Sequence, residues 1–169
     1  MNEFDRLVDI VGTLRSENGC PWDREQTHSS IKRTCIEEAC EVVCGINILE
    51  ETGNYDNLRE ELGDLLLQVV FHARMAEEEG FFTMEDVCRD ISDKMIRRHP
   101  HVFGEVTVSD SGEVLDNWEK IKAFEKKDKA LERKFLPKAF EESKELIDVA
   151  VKRKEEKWSR SGRKRKRPG

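Results

Sequence analysis

Residues 58–72 read LREELGDLLLQVVFH. Leu65 to Phe71 is apolar on nearly every side of a helix, the pattern of a helix enclosed by others. One line interrupts it: Glu61, Asp64, Gln68 and His72 follow steps of three, four and four, so they share a face. The preceding segment has the same construction. Ile31, Cys35, Ala39, Val42, Val43, Ile46 and Leu49 recur at helical spacing, and Thr34, Glu38, Glu41 and Gly45 form a second stripe. Gly53-Asn54 separates the two patterns, which predicts a helical hairpin.

Hairpin geometry lets the stripes meet. With the turn centred near Asn54, partners at equal level have numbers summing to about 108, whereas Glu38 with Asp64 and Glu41 with Glu61 sum to 102. The axial offset is about 4 to 5 Å at 1.5 Å per residue, within one turn. Four carboxylates are therefore expected to converge. Buried carboxylates need protonation, a basic partner or a metal, and an all-oxygen anionic site suits Mg²⁺, with Mn²⁺ as a substitute. Each acidic motif alone also reads as a solvated helix face; their pairing across an apolar hairpin favours the metal. A di-iron carboxylate bundle would need Glu-x-x-His, which neither Glu38-x-x-Glu41 nor Glu61-x-x-Asp64 supplies.

Outward from the hairpin the chain stays helical. No proline falls between Pro21 and Pro100. A third helix is predicted from Met84 to Arg98, with Thr83 as N-cap, Asp86 three residues on and Pro100 as its stop. Phe4–Leu14 and Val114–Lys126 are further candidates, and a weaker amphipathic stretch covers Pro137–Lys157. No strand-like alternation persists long enough for a sheet. The expected fold class is all-α.

Composition narrows the function. The 169 residues are 37% hydrophobic and 39% charged, against about a quarter charged in an average soluble domain. No run approaches a spanning helix, and acidic residues at 3, 5 and 9 replace the apolar stretch of a signal peptide. A membrane protein is excluded and a cytoplasmic location expected. Five cysteines without a CxxC pair point to neither a disulfide framework nor a zinc ribbon. Residues 152–169 hold ten Lys or Arg against Glu155 and Glu156, a local +8 within a total of -6, which leaves -14 for residues 1–151. So acidic a body argues against nucleic acid as a partner unless its acids hold a cation.

A second constellation supplies positive charge and an aromatic plate. Lys94 and Arg98 stand at i and i+4 before His99-Pro100-His101, and Trp118 and Lys122 at i and i+4 on the next helix. Such cations suit a phosphate chain and an indole can stack on a nucleobase. A solvated basic face with a core tryptophan is the plainer reading of these four residues alone.

Six motifs together carry a family resemblance. Asn18-Gly-Cys-Pro-Trp-Asp23, Glu25-Gln-Thr-His28, Glu37-Glu-Ala-Cys-Glu41, Glu60-Glu-Leu-Gly-Asp64, Arg97-Arg-His-Pro-His-Val-Phe-Gly104 and Trp118-Glu-Lys-Ile-Lys122 occur in the order seen in MazG-type nucleoside triphosphate pyrophosphohydrolases. Over residues 4–126 the chain resembles that family. The resemblance implies an all-α helical bundle of the all-α NTP pyrophosphohydrolase type, assembled as a homodimer or higher oligomer. It also implies Mg²⁺-dependent hydrolysis of NTPs or dNTPs to the monophosphate and pyrophosphate. By position, Glu38, Glu41, Glu61 and Asp64 match the family's metal ligands. Glu37 and Glu60 match acids that support the metal or position water, and the catalytic group is expected among Glu37, Glu38, Glu41 and Glu60. Lys94, Arg98, Trp118 and Lys122 match nucleotide contacts. Cys40 departs from the family, standing where relatives often carry an aromatic.

These readings imply a catalytic domain over 1–130, a helical extension over 131–158 and a basic disordered tail over 159–169. The tail is expected to leave turnover unchanged. Cys35, Cys40 and Cys44 are expected as small buried thiols, His72 as a partner of the polar stripe, and His99 and His101 as fixing a helix end. The competing class is a non-catalytic helical interaction module whose basic tail holds nucleic acid or an acidic partner.

Overall fold

The computed structural model of the chain describes residues 1–125 and 129–164. Among them there is no strand, and the helices follow in the order α1 (Glu3–Leu14), α2 (Pro21–Arg24), α3 (Lys32–Thr52), α4 (Asp56–Glu78), α5 (Met84–Arg98), α6 (Pro100–Phe103), α7 (Ser111–Glu125) and α8 (Ala130–Lys164). The fold is all-α. No helix among the described residues is long and apolar enough to cross a membrane.

Local chemistry sets most boundaries. Asn2 caps α1 by accepting from Asp5 N–H at 2.9 Å. Gly53 ends α3 at φ 73°, where a side chain would be strained, and its N–H returns to Leu49 C=O at 2.9 Å. Asn54 Oδ1 then accepts from Asp56 N–H at 2.8 Å as α4 opens. The capping box of Thr83 and Asp86 starts α5, whose ends fall where the sequence places them. α7 opens three residues before Val114 because Asp110 Oδ1 accepts from Glu113 N–H at 3.0 Å and Glu113 accepts from Ser109 N–H at 2.9 Å.

α8 departs from expectation at both ends. It begins seven residues before Pro137, a residue that removes one helix hydrogen bond, and continues past Trp158. Ser159–Lys164, expected to be disordered, are thus helical; Arg160 pairs with Glu156 one turn earlier at 3.8 Å, and cations favour a helix C-terminus. Residues 165–169 of the expected tail lie outside the described residues.

The chain forms two compact units, Met1–Met75 with the chain from Pro137 onward, and Ala76–Leu136. In the first, Val11, Ile31, Val70, Phe71, Ala73 and Met75 are buried. α3 and α4 approach closely at Gly45, where an added Cβ would lie 2.7 Å from Leu58 Cα and 2.9 Å from its nitrogen. That contact lies within one residue of the register that pairs Glu38 with Asp64. The apolar run of α4 is not enclosed all round: Val70 and Phe71 are buried, but Leu62, Leu66 and Val69 are 50%, 37% and 39% exposed.

Candidate functional site

Glu38 from α3 meets Glu61 and Asp64 from α4. One carboxylate oxygen from each lies within 4.8 Å of the others, a convergence that the close approach at Gly45 permits. Glu61 is buried, 8% exposed, and Asn57 Nδ2 donates to its Oε1 at 2.9 Å. Burial, and then the charges of Glu41, Asp64 and Glu61, raise the Glu38 carboxyl above its ordinary value, while Lys154 pulls it back. Burial and then Glu41 raise Glu61 likewise, with Asp64 and Glu60 adding to the effect and Asn57 opposing it. Like charges held this near one another fit a hard dication, which takes oxygen ligands and would relieve their repulsion.

The other predicted acids stand differently. Glu41, expected as a fourth ligand, accepts a hydrogen bond from Lys154 Nζ at 2.7 Å through Oε1. That bond is the main reason the Lys154 ammonium is held above its ordinary pKa. Glu37 is buried, 7% exposed; Oε2 accepts from the Arg153 guanidinium and Oε1 lies 3.4 Å from Arg33 Nε. Glu60 is exposed and acts on the cluster through its charge. Two consecutive cations of α8 therefore sit on two carboxylates one turn apart on α3. The sequence reading did not find this pairing; its signal was a basic 152–154 triplet in a chain whose body is strongly acidic.

α8 and α3 also flank a half-open cavity of about 300 Å³ whose walls include Cys40, Cys44, Ile147, Val151 and Trp158. The expectation of buried thiols is corrected here: Cys35 is half-buried, but Cys40 and Cys44 are exposed, because they lie on the side of α3 that faces this cavity. His72 is corrected too. It pairs with His28 rather than with its own stripe, Nδ1 to Nδ1 at 2.7 Å with the rings stacked at 5.0 Å. Burial, and then His28, lower its pKa.

In the second unit α5 and α7 bring Arg98 and Trp118 together. The Arg98 guanidinium lies 5.4 Å from the indole centroid, and the His99 ring meets the same indole edge-on at 4.8 Å. His99 Nδ1 is 2.6 Å from Met95 C=O, so it does fix the helix end. Glu125, which the sequence reading missed, accepts from Arg98 at 3.0 and 2.5 Å and from Arg97 at 2.7 Å. Those arginines, Arg98 first, hold its carboxyl down to about 2. Lys94 is half-buried one turn before Arg98, and Lys122, one turn after Trp118, pairs with Glu119 at 3.1 Å.

The chain is similar to known proteins. The MazG nucleotide pyrophosphohydrolase domain matches residues 26–103. A nucleoside triphosphate pyrophosphohydrolase of Escherichia coli (strain K12) is 52% identical over 131 residues, 77% of this chain and 48% of that protein. The nucleoside triphosphate pyrophosphohydrolase/pyrophosphatase MazG of Thermotoga maritima is 52% identical over 123 residues, 73% of this chain and 45% of that one. The chain thus spans about half the length of these two relatives. A crystal structure of a mazG-related protein from Thermotoga maritima superposes with a TM-score of 0.56 at 25% identity, covering 70% of this chain and 98% of that one.

Proposed function

Because the chain belongs to the MazG family, we propose that it hydrolyses nucleoside triphosphates, NTPs or dNTPs, to nucleoside monophosphate and pyrophosphate with the help of Mg²⁺. The observation that carries this reading is the convergence of Glu38, Glu61 and Asp64, drawn from both motifs of the hairpin. These three carboxylates would hold the cation, with Glu41 as the fourth ligand. A bound dication would neutralise the phosphate oxyanions.

The remaining roles belong to the chain's own groups. Of the acids Glu37, Glu38, Glu41 and Glu60, Glu38 or Glu41 would orient the attacking water, Glu41 once Lys154 has released it, while Glu37 is engaged by Arg153 and Glu60 faces solvent. Glu37 then acts by fixing α3. Lys94, Arg98 and Lys122 would bind the phosphate chain, and Trp118, its edge already packed by His99, would present a face to the base. Residues 1–130 serve as the catalytic domain and 131–158 as its helical extension. Leu62, Leu66 and Val69 on α4 and Val43 and Ile46 on α3 are exposed, and a homodimer would cover such apolar side chains. The cytoplasm, where such substrates are made, is the expected compartment.

A panel of NTPs and dNTPs, including deaminated and oxidised bases, assayed for pyrophosphate release with Mg²⁺ and with EDTA tests this reading. Release of pyrophosphate from at least one member, abolished by EDTA, is expected. No release from any, or release of orthophosphate instead, contradicts it.

A further inference from the structure

We infer that Lys154 is a tethered counter-ion of the carboxylate cluster, a positioning residue that occupies Glu41 until a cation takes it, so that α8 sets how tightly the site binds metal. This rests on the metal reading above and adds to it a residue from beyond the hairpin motifs. The two cations that α8 places on α3 differ in kind. Arg153 meets Glu37, a buried carboxylate that also faces Arg33; a rigid guanidinium on a buried acid is an anchor, because separating the pair strands a charge. Lys154 meets Glu41 through a single hydrogen bond, and both side chains are about one-third exposed. A flexible ammonium on a partly solvated carboxylate exchanges readily. The cavity beside it, which Lys154 helps to line, gives the released side chain room to move.

The competition follows from charge. Glu41 acts electrostatically on Glu38 and Glu61, and Lys154 acts on Glu38 in the opposite sense, so the ammonium already supplies part of the compensation that a dication would bring. Arg153 keeps α8 in place whether or not Lys154 is bound, and so keeps the lysine at high effective concentration beside Glu41. Removing the lysine charge leaves the acids uncompensated and available.

Mn²⁺ binding to the full-length chain without nucleotide, followed by the loss of the free-ion electron paramagnetic resonance signal, tests this, with circular dichroism confirming the helical fold of each variant. Lys154→Gln should bind Mn²⁺ at least about fivefold more tightly than wild type, and Lys154→Arg, which keeps the charge, within about twofold of it. In a Glu41→Gln background Lys154→Gln should change little, since the contested ligand is gone. An unchanged or weaker affinity in Lys154→Gln overturns the inference, as does an equal gain in the Glu41→Gln background. If folded wild type and Lys154→Gln both fail to bind Mn²⁺, the metal reading itself fails and takes this inference with it; loss of wild-type binding in Asp64→Asn keeps the metal reading standing.

Discussion

The two compact units treat their acids in opposite ways. In the first, Glu38, Glu61 and Asp64 are drawn together across the hairpin, and burial with mutual repulsion raises Glu38 and Glu61. In the second, a single acid, Glu125, receives two arginines and is held down to about 2. One region stores electrostatic repulsion and the other has discharged it. A cluster of acids left repelling one another costs stability until a proton or a cation relieves it, whereas a matched pair such as Arg98–Glu125 fixes the pose of the arginine over Trp118.

The contrast breaks most sharply at the acids. Glu38→Gln or Asp64→Asn keeps the side-chain size but loses affinity for a hard dication; turnover should fall at least about a hundredfold with the helical circular dichroism spectrum unchanged. Wild-type kcat in either variant removes the cluster from the site. Gly45→Ala comes next, because its Cβ would meet backbone rather than a flexible side chain. Forcing the hairpin apart one turn from Glu41 should cost about 1 to 3 kcal/mol in denaturant unfolding, and pyrophosphate release should weaken with it. A variant as stable as wild type would mean that the register does not depend on that contact.

The pH dependence separates the two regions by sign. Glu38 and Glu61 have raised folded-state pKa values, so without metal their cost is absent below about 4.5, the ordinary value, and grows as pH rises through the raised values. Glu125 behaves conversely: its contribution is present above 4.5 and is lost as pH falls towards about 2. Mg²⁺ should therefore bind more tightly as pH rises above the ordinary carboxylate value through the raised ones, and within that range release protons, measurable by calorimetry in buffers of different ionisation enthalpy. Glu125→Gln should flatten only the acid limb of the stability profile. The smallest effect is expected from truncation after Trp158, which keeps Arg153 and Lys154; kcat/KM should stay within about threefold of wild type at low and high salt.

What was legible in the sequence was local. Thr83, Asp86 and Pro100 lie within or beside the helix they bound, so α5 could be placed to the residue. The stripes on α3 and α4 are separated by one short turn, so their meeting followed from pitch and rise. The contacts missed are non-local: Arg153 and Lys154 lie 116 and 113 residues from Glu37 and Glu41, and His28 lies 44 from His72. No periodicity reports such pairings. α8 is longer than its amphipathic stretch because periodicity does not report a helix that carries a proline one turn or more inside its start, nor one that continues through the polar residues 159–164.

The measurement that tests the central claim most directly is the melting temperature of wild type and Asp64→Asn at pH 7, with and without Mg²⁺. If the acids converge as a cation site, Mg²⁺ raises the wild-type value and leaves Asp64→Asn unmoved, and without Mg²⁺ the variant melts at or above wild type because one repelling charge is gone. A wild type insensitive to Mg²⁺, or a metal-free variant that melts below it, would contradict the account.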